Sequence, residues 1–364
     1  MSTKTKKIDR LFLFSVITLT ITGFIVFLSA SLGLLAQDGV SFGTVAMKQT
    51  ISLILGIIMF FIFSRINHNL LRKLAFFILL GAIIANLLLF FPGIALYHGG
   101  ASRWINVGPL SFQPSEFMKI AFIIYVAAWA HFVKDKIKMM KFGLMPYVAI
   151  MILLTFLLLA QSDTDTLVII GFTGMVMLLV AGLPIRHFLI SLLIMAVVVG
   201  GVIYFRPYAK QRFMTFLHRG SDAQGAGYQI NQSLIAIGSG QVAGRGFGQS
   251  IQKFGYLPQP TDDSVFAVAA EEFGFIGSII LITLYIIFAI SCFRIGTRSK
   301  DLFGGLLAIG IAILIVTESF MNISAMLGLL PLSGIPLLFV SHGGTALIVT
   351  LGAAGMIGNV SRES

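Results

Sequence analysis

The sequence predicts an all-α integral membrane protein with ten transmembrane helices and one large extracytoplasmic loop between the seventh and the eighth. Three observations carry that expectation. The 364 residues are 57% hydrophobic and only 11% charged, with a mean hydropathy of +0.97, too few charges to cover a water-facing surface. The apolar residues run in long continuous stretches, which excludes the period-two alternation of an outer-membrane barrel. Lys and Arg recur in alternate connections, the pattern by which a polytopic chain fixes its orientation.

About 20 apolar residues cross a hydrocarbon core. Ten stretches approach or exceed that length: Leu11 to Ala36, Thr50 to Phe63, Leu74 to Leu96, Phe117 to Val133, Pro146 to Ala160, Thr166 to Leu183, Phe188 to Phe205, Val265 to Phe293, Leu302 to Leu327 and Ile335 to Ile357. They make residues 1–364 one polytopic membrane domain. The first follows Lys4, Lys6, Lys7 and Arg10, as a signal peptide would. Its apolar run is too long for a cleavable core, so it reads as a retained helix.

Basic residues then fall on one side of the membrane: the N-terminal tail, Arg65, Arg72 and Lys73, the run from Lys134 to Lys141, Arg186, Arg294, Arg298 and Lys300, and Arg362. The opposite short connections hold little beyond Lys48 and Arg103. Both termini are therefore expected in the cytoplasm. The net charge of +11 is mostly topological, and no nucleic-acid partner is expected. A single cysteine, Cys292, excludes an internal disulfide.

The connection from Arg206 to Ser264 is far longer than a helix–helix turn requires. It opens with Arg206, Lys210, Arg212 and Arg219 interleaved with Tyr208, Phe213, Phe216 and Leu217, as in a helix lying in the membrane interface. Anchoring among lipid headgroups and binding of an anionic substrate both account for that pattern.

Ionisable groups inside or beside spans persist only with a partner or a use. Glu116 and Lys119 stand three residues apart at the head of a helix, where they can pair. Asp163 and Asp165 lie between two closely spaced spans, where either could cap the helix beginning near Thr166. Asp262 and Asp263 open the eighth span, and Glu271 and Glu272 follow about two turns inside it. Capping explains one aspartate but not four acidic residues, so this cluster is the leading catalytic candidate. Pro331, Gly334, Pro336, Gly343 and Gly344 interrupt the last two spans, and broken helices at membrane depth normally line a cavity. The six histidines show no metal-ligand spacing.

Taken together, these segments resemble the SEDS family, named for shape, elongation, division and sporulation. An Arg-Trp followed by QPSE and a lysine is met by Arg103, Trp104, Gln113, Pro114, Ser115, Glu116 and Lys119. The run from Gly227 to Pro258 resembles the family's long-loop motif, and the run from Asn322 to Leu347 its C-terminal signature. The wording GQSIQKFGYLP is closer to the division member than to the elongation member.

There are departures. The usual QPDLGT reads QSDTDT at Gln161 to Thr166. The usual His-Thr-Asp-Phe before the eighth span reads Thr261, Asp262, Asp263 and Ser264. The signature's Tyr after Ser341 is His342, and a usual Gln four residues before Asn322 is Glu318.

The resemblance implies a peptidoglycan glycosyltransferase of the bacterial cytoplasmic membrane that polymerises lipid II, in cell division, beside a class B penicillin-binding protein and other division membrane proteins. It implies Asp263 as the catalytic base, with Arg103, Glu116, Lys119, Asp163, Arg212, Gln232, Ser233 and Ser341 binding substrate. The polyprenyl pyrophosphate leaving group calls for cations, or a divalent metal ion, near the headgroups. A lipid-linked precursor transporter and a non-catalytic division scaffold are the competing readings. A transporter would need polar groups along its whole path, and a scaffold would tolerate loss of Asp263.

Overall fold

A computed structural model of the chain describes residues 7–36, 41–91, 95–98, 101–107, 110–218 and 225–363. Lys4, Lys6 and Arg219, assigned above to the tail and the interface helix, lie outside them. Twelve α-helices are described: α1 Arg10–Ser31, α2 Phe42–Phe63, α3 His68–Leu87, α4 Pro114–Val133, α5 Leu144–Ala160, α6 Thr164–Val180, α7 Ile185–Phe205, α8 Pro207–Leu217, α9 Ala226–Ser239, α10 Val265–Arg298, α11 Leu302–Met326 and α12 Gly344–Glu363. Eight of these, α1 to α4, α7 and α10 to α12, are long and apolar enough to cross a membrane. The apolar helices α5 and α6 have 17 residues each, about 25 Å of helix.

Local chemistry explains several boundaries. Asp9 caps α1 by accepting the N–H of Leu11 at 3.0 Å and of Phe12 at 3.1 Å, and its other oxygen is 2.6 Å from Arg294 at the far end of α10. Pro114 starts α4 at a position where the missing N–H costs nothing. α11, α12 and α4 are the most enclosed of the long helices, and α4 and α11 pack against each other and against α6 and α12.

The structure corrects the sequence expectation in four places. The second span begins at Phe42, not Thr50. The chain is not wholly helical, because the α3–α4 connection forms a three-stranded antiparallel sheet of β1 Ala95–His98, β2 Ala101–Val107 and β3 Leu110–Phe112. The long connection after α7 contains, besides the expected helix α8, a second helix α9. The last span begins only at Gly344, and residues 327–343 return through the bundle without regular helix.

That returning segment is buried from Leu337 to Val340, and donors from neighbouring helices serve its carbonyls. Asn322 donates to Ile335 O at 2.9 Å, Gln49 donates to Ser341 O at 3.3 Å, and the Tyr285 hydroxyl bonds Leu338 O. Irregular backbone is tolerated at such depth only when it is served this way. Gly23 makes room for it, since a Cβ there would lie 2.1 Å from Phe339 O.

α10 breaks at Gly274, whose φ of 65° and ψ of −163° are closed to residues with side chains. The Gly-rich loop enters the break. Arg245 and Gly246 donate to the carbonyls of Glu271 and Glu272 at 3.0 and 2.9 Å, while Phe275 and Ile276 donate to those of Gln241 and Val242 at 2.9 and 3.1 Å. Loop peptides thus replace the helical hydrogen bonds that the kink forfeits.

Candidate functional site

Of the residues singled out by sequence, Arg103, Arg212 and Ser341 lie around Asp262 and Asp263. Asp263 sits just before α10, and its neighbours hold its backbone. Asn322 of α11 donates to Asp263 O at 2.8 Å, and the Ser341 hydroxyl donates to Asp262 O at 2.6 Å. The Asp263 carboxylate faces Gly334 of the returning segment, where a Cβ would lie 3.7 Å from Oδ2 and 3.6 Å from Arg212 Nη2. A glycine at 334 leaves both groups uncovered.

Two cations flank this carboxylate. Arg212 of α8 pairs with Asp165 Oδ2 of α6 at 3.2 Å and lies 4.3 Å from the centroid of the Tyr208 ring. Arg103 of β2 donates to Gln161 O at 3.4 Å and also to Ser162 O, just past the C-terminus of α5, where carbonyls attract a cation. Burial, and then the neighbouring Asp262 carboxylate, push the pKa of Asp263 up to about 7, with Arg212 pulling the other way. A carboxylate tuned to that range is poised to exchange a proton near neutral pH.

Beside this group lies a cavity of about 170 Å³ between α6, α7, α8 and α11, with Asp165, Arg212 and Ser333 among its polar lining and Leu167, Val199 and Met321 among its apolar lining. It can receive a ligand with an anionic end and an apolar end.

The other predicted residues have different surroundings. Lys119 is buried between two carboxylates, 2.9 Å from Glu116 and 2.7 Å from Glu318. Asp163 caps α6, accepting the N–H of Thr166 at 3.3 Å and its hydroxyl at 3.0 Å. Ser233 is fully buried, donating to Gln229 O at 2.8 Å against Met326 of α11. Gln232 is half-buried on α9. The Ser341 hydroxyl, besides holding Asp262, accepts the N–H of Leu337 at 2.8 Å.

The acidic cluster divides in two. Glu271 accepts the Ser250 hydroxyl at 2.6 Å and the N–H groups of Ile251 and Gln252 at 3.1 and 3.3 Å. Glu272 pairs with the fully buried Lys253 at 2.7 Å and accepts the Ser29 hydroxyl at 2.6 Å. Both glutamates therefore anchor the Gly-rich loop and are removed from the catalytic candidates. Sequence reasoning missed Asp165 as the partner of Arg212, Glu318 as the second partner of Lys119, and Asn322 as the clamp on Asp263. Glu318 and Asn322 share one face of α11, and their i,i+4 spacing was the available signal. Among the described residues, no group of three or more His, Cys, Asp or Glu is arranged to hold a metal ion.

Residues 9–364 match the family of FtsW, RodA and SpoVE, described as cell cycle proteins. A probable peptidoglycan glycosyltransferase FtsW of Geobacter sulfurreducens is 34% identical over 363 residues, covering 98% of this chain and 95% of the relative. Stage V sporulation protein E of Bacillus subtilis is 35% identical, covering 88% of this chain and 87% of its own. Among solved structures, a chain from a peptidoglycan synthase complex, in a study of coordinated polymerization and crosslinking, superposes with a TM-score of 0.80 at 27% identity, covering 98% of both chains. The rod shape determining protein RodA of Thermus thermophilus gives a TM-score of 0.67 at 25% identity, covering 98% of this chain and 97% of that one.

Proposed function

Given that the chain belongs to the FtsW, RodA and SpoVE family of multi-pass membrane proteins, we propose that it is a peptidoglycan glycosyltransferase that polymerises lipid II, with Asp263 as the general base. The observation that carries this reading is the Asp263 carboxylate, uncovered at Gly334 and flanked by Arg212, beside a largely apolar cavity.

A sugar hydroxyl of one lipid-linked disaccharide gives its proton to Asp263 as its oxygen attacks the anomeric carbon of another. The bond from that carbon to the pyrophosphate breaks, and the lipid pyrophosphate leaves. Arg212 and Arg103 meet the charge growing on it, and the apolar cavity wall takes the start of the polyprenyl chain. The α-linked donor becomes a β-linked product in one inversion, so no covalent enzyme intermediate and no second carboxylate are needed.

In this reading the chain is one polytopic domain of ten spans, α1 to α7 and α10 to α12. The segment of about residues 206–264 is extracytoplasmic and both termini are cytoplasmic. The basic connections at the opposite end of the bundle support that orientation. The resemblance to the division member supports a place in cell division, and the synthase complex among its structural neighbours supports a crosslinking partner, a class B penicillin-binding protein.

The test is glycan synthesis from purified lipid II. Asp263→Asn keeps the shape and removes the proton acceptor, and it should lower the rate by about 10²- to 10⁴-fold while thermal stability stays near that of the unaltered protein. Full activity in that variant would end the assignment.

A further inference from the structure

Two departures of this sequence from the family pattern meet in space. Asp262 stands where the pattern has Thr, and His342 where it has Tyr. His342 Nδ1 lies 3.3 Å from Asp262 Oδ1, so an uncharged pair has been replaced by one that can carry both charges.

The surroundings fix this pair. The His342 ring stacks on Phe27 of α1, with centroids 5.7 Å apart and planes 19° apart, and its backbone N–H donates to Thr261 O at 2.7 Å. The Asp262 carbonyl is held by Ser341 and the Asp263 carbonyl by Asn322. With both backbones clamped, one carboxylate turns to His342 and the next to Gly334 and Arg212. His342 and Asp262 are 29% and 41% exposed, and an ion pair as open as this contributes little to stability. Its electrostatic effect on the adjacent residue is the larger consequence.

We propose that His342 is a positioning residue for the reaction, acting on Asp263 through the Asp262 carboxylate, which it holds in place. The proposal rests on Asp263 being the base. The charged groups around Asp263 are Asp262 next to it, Arg212 from α8, Asp165 from α6 and Arg103 from β2. The His342 ring faces the Asp262 carboxylate and stacks on Phe27. An ionised Asp262 repels the negative charge on Asp263 and makes the base harder to ionise. Positive charge at the His342 ring opposes the Asp262 charge and so favours the ionised form of Asp263.

The experiment is the pH dependence of lipid II polymerisation by the full chain, with a thermal melt of every variant. His342→Tyr keeps an aromatic ring on Phe27 but carries no positive charge. The acid limb of its rate profile should move to higher pH by roughly half a unit or more, with the plateau rate nearly unchanged. Asp262→Asn should move the limb to lower pH, and adding His342→Tyr to Asp262→Asn should move it no further. His342→Gln, which removes the ring as well, should shift the limb in the same direction as His342→Tyr.

Limbs that stay in place in both single variants overturn the proposal, even if the rate falls uniformly, because a purely structural contact lowers the rate without moving the profile. Asp263→Asn separates the two ideas. If it is inactive and the limbs do not move, only the role of His342 fails. If it is active, the base assignment fails and takes the proposal with it.

Discussion

Lys119 Nζ on α4 lies 2.7 Å from the Glu318 carboxylate on α11, and both side chains are buried. Glu116 completes the group at 2.9 Å, so one ammonium bridges two carboxylates and joins α4 to α11. Four residues along α11, Asn322 clamps the backbone of Asp263. A single helix face thus carries both the ion cluster and the support of the candidate base.

Lys119→Ala leaves two buried carboxylates without their counterion and should destabilise the protein by about 3–5 kcal/mol, read as a lowered melting temperature in detergent. Lys138→Ala, in the basic connection after α4, should change it little. Replacing Glu116, Lys119 and Glu318 together with uncharged residues of similar size should recover most of the loss. A Lys119→Ala protein that melts normally yet makes no glycan would instead put the ammonium on the substrate.

The polymerisation rate should fall as pH drops through about 7. Burial and Asp262 raise Asp263 to that value, and a base works only when ionised, so activity is present above it and declines below it by about tenfold per unit. Arg212→Gln removes the cation that holds the value down and should shift the decline to higher pH. A rate flat from pH 5 to 8 in the unaltered protein would contradict a base so placed.

Gly274→Ala should be unusually costly for so small a change. Its φ of 65° disfavours any side chain, and the new Cβ would lie 2.3 Å from Gly244 N. Strain of about 1–2 kcal/mol then adds to displacement of the loop, and limited proteolysis between Gln241 and Gln252 should accelerate. Gly81, with open space around its Cβ position, is the matched control and should tolerate alanine.

Reporters fused after Met139 should be active only in the cytoplasm. Reporters inserted at Gln224, which lies outside the described residues, should be active only outside the cell. The reverse result would place Asp263 in the wrong compartment for its proposed substrate.

Much of this arrangement was legible in the sequence. Continuous apolar runs located the spans because every residue of a span must satisfy the same solvent. The spacing of Glu116 and Lys119 gave their pairing, and the position of Asp163 gave a cap, because both depend on neighbours along one helix. What escaped depends on contacts distant in sequence. Nothing local distinguishes Glu272, which pairs with Lys253 across a loop, from Asp262, ten residues earlier, which lies beside the site. Helix α9 escaped because its composition is too polar to register as a span, whereas the interleaved basic and aromatic residues after Arg206 pointed to α8. The sheet escaped because Ala95 to Phe112 combines a short apolar tail with Gly and Pro.

The break at Gly274 also bears on how the protein tolerates different lipids. From Phe275 to Arg298 the lower part of α10 is about 36 Å of helix, enough to span a hydrocarbon core of about 30 Å unaided. The upper part, which leads to Asp263, is tied to the Gly-rich loop and α11, and the loop also accepts from Phe275 and Ile276 at the head of the lower part. A thicker or thinner bilayer is met by tilting of the spanning helix, and the loop bonds at the kink hold the upper part of α10 in place. The distance from Asp263 to its clamps is therefore set by protein contacts and not by membrane thickness, so glycan synthesis should persist in lipids of differing chain length.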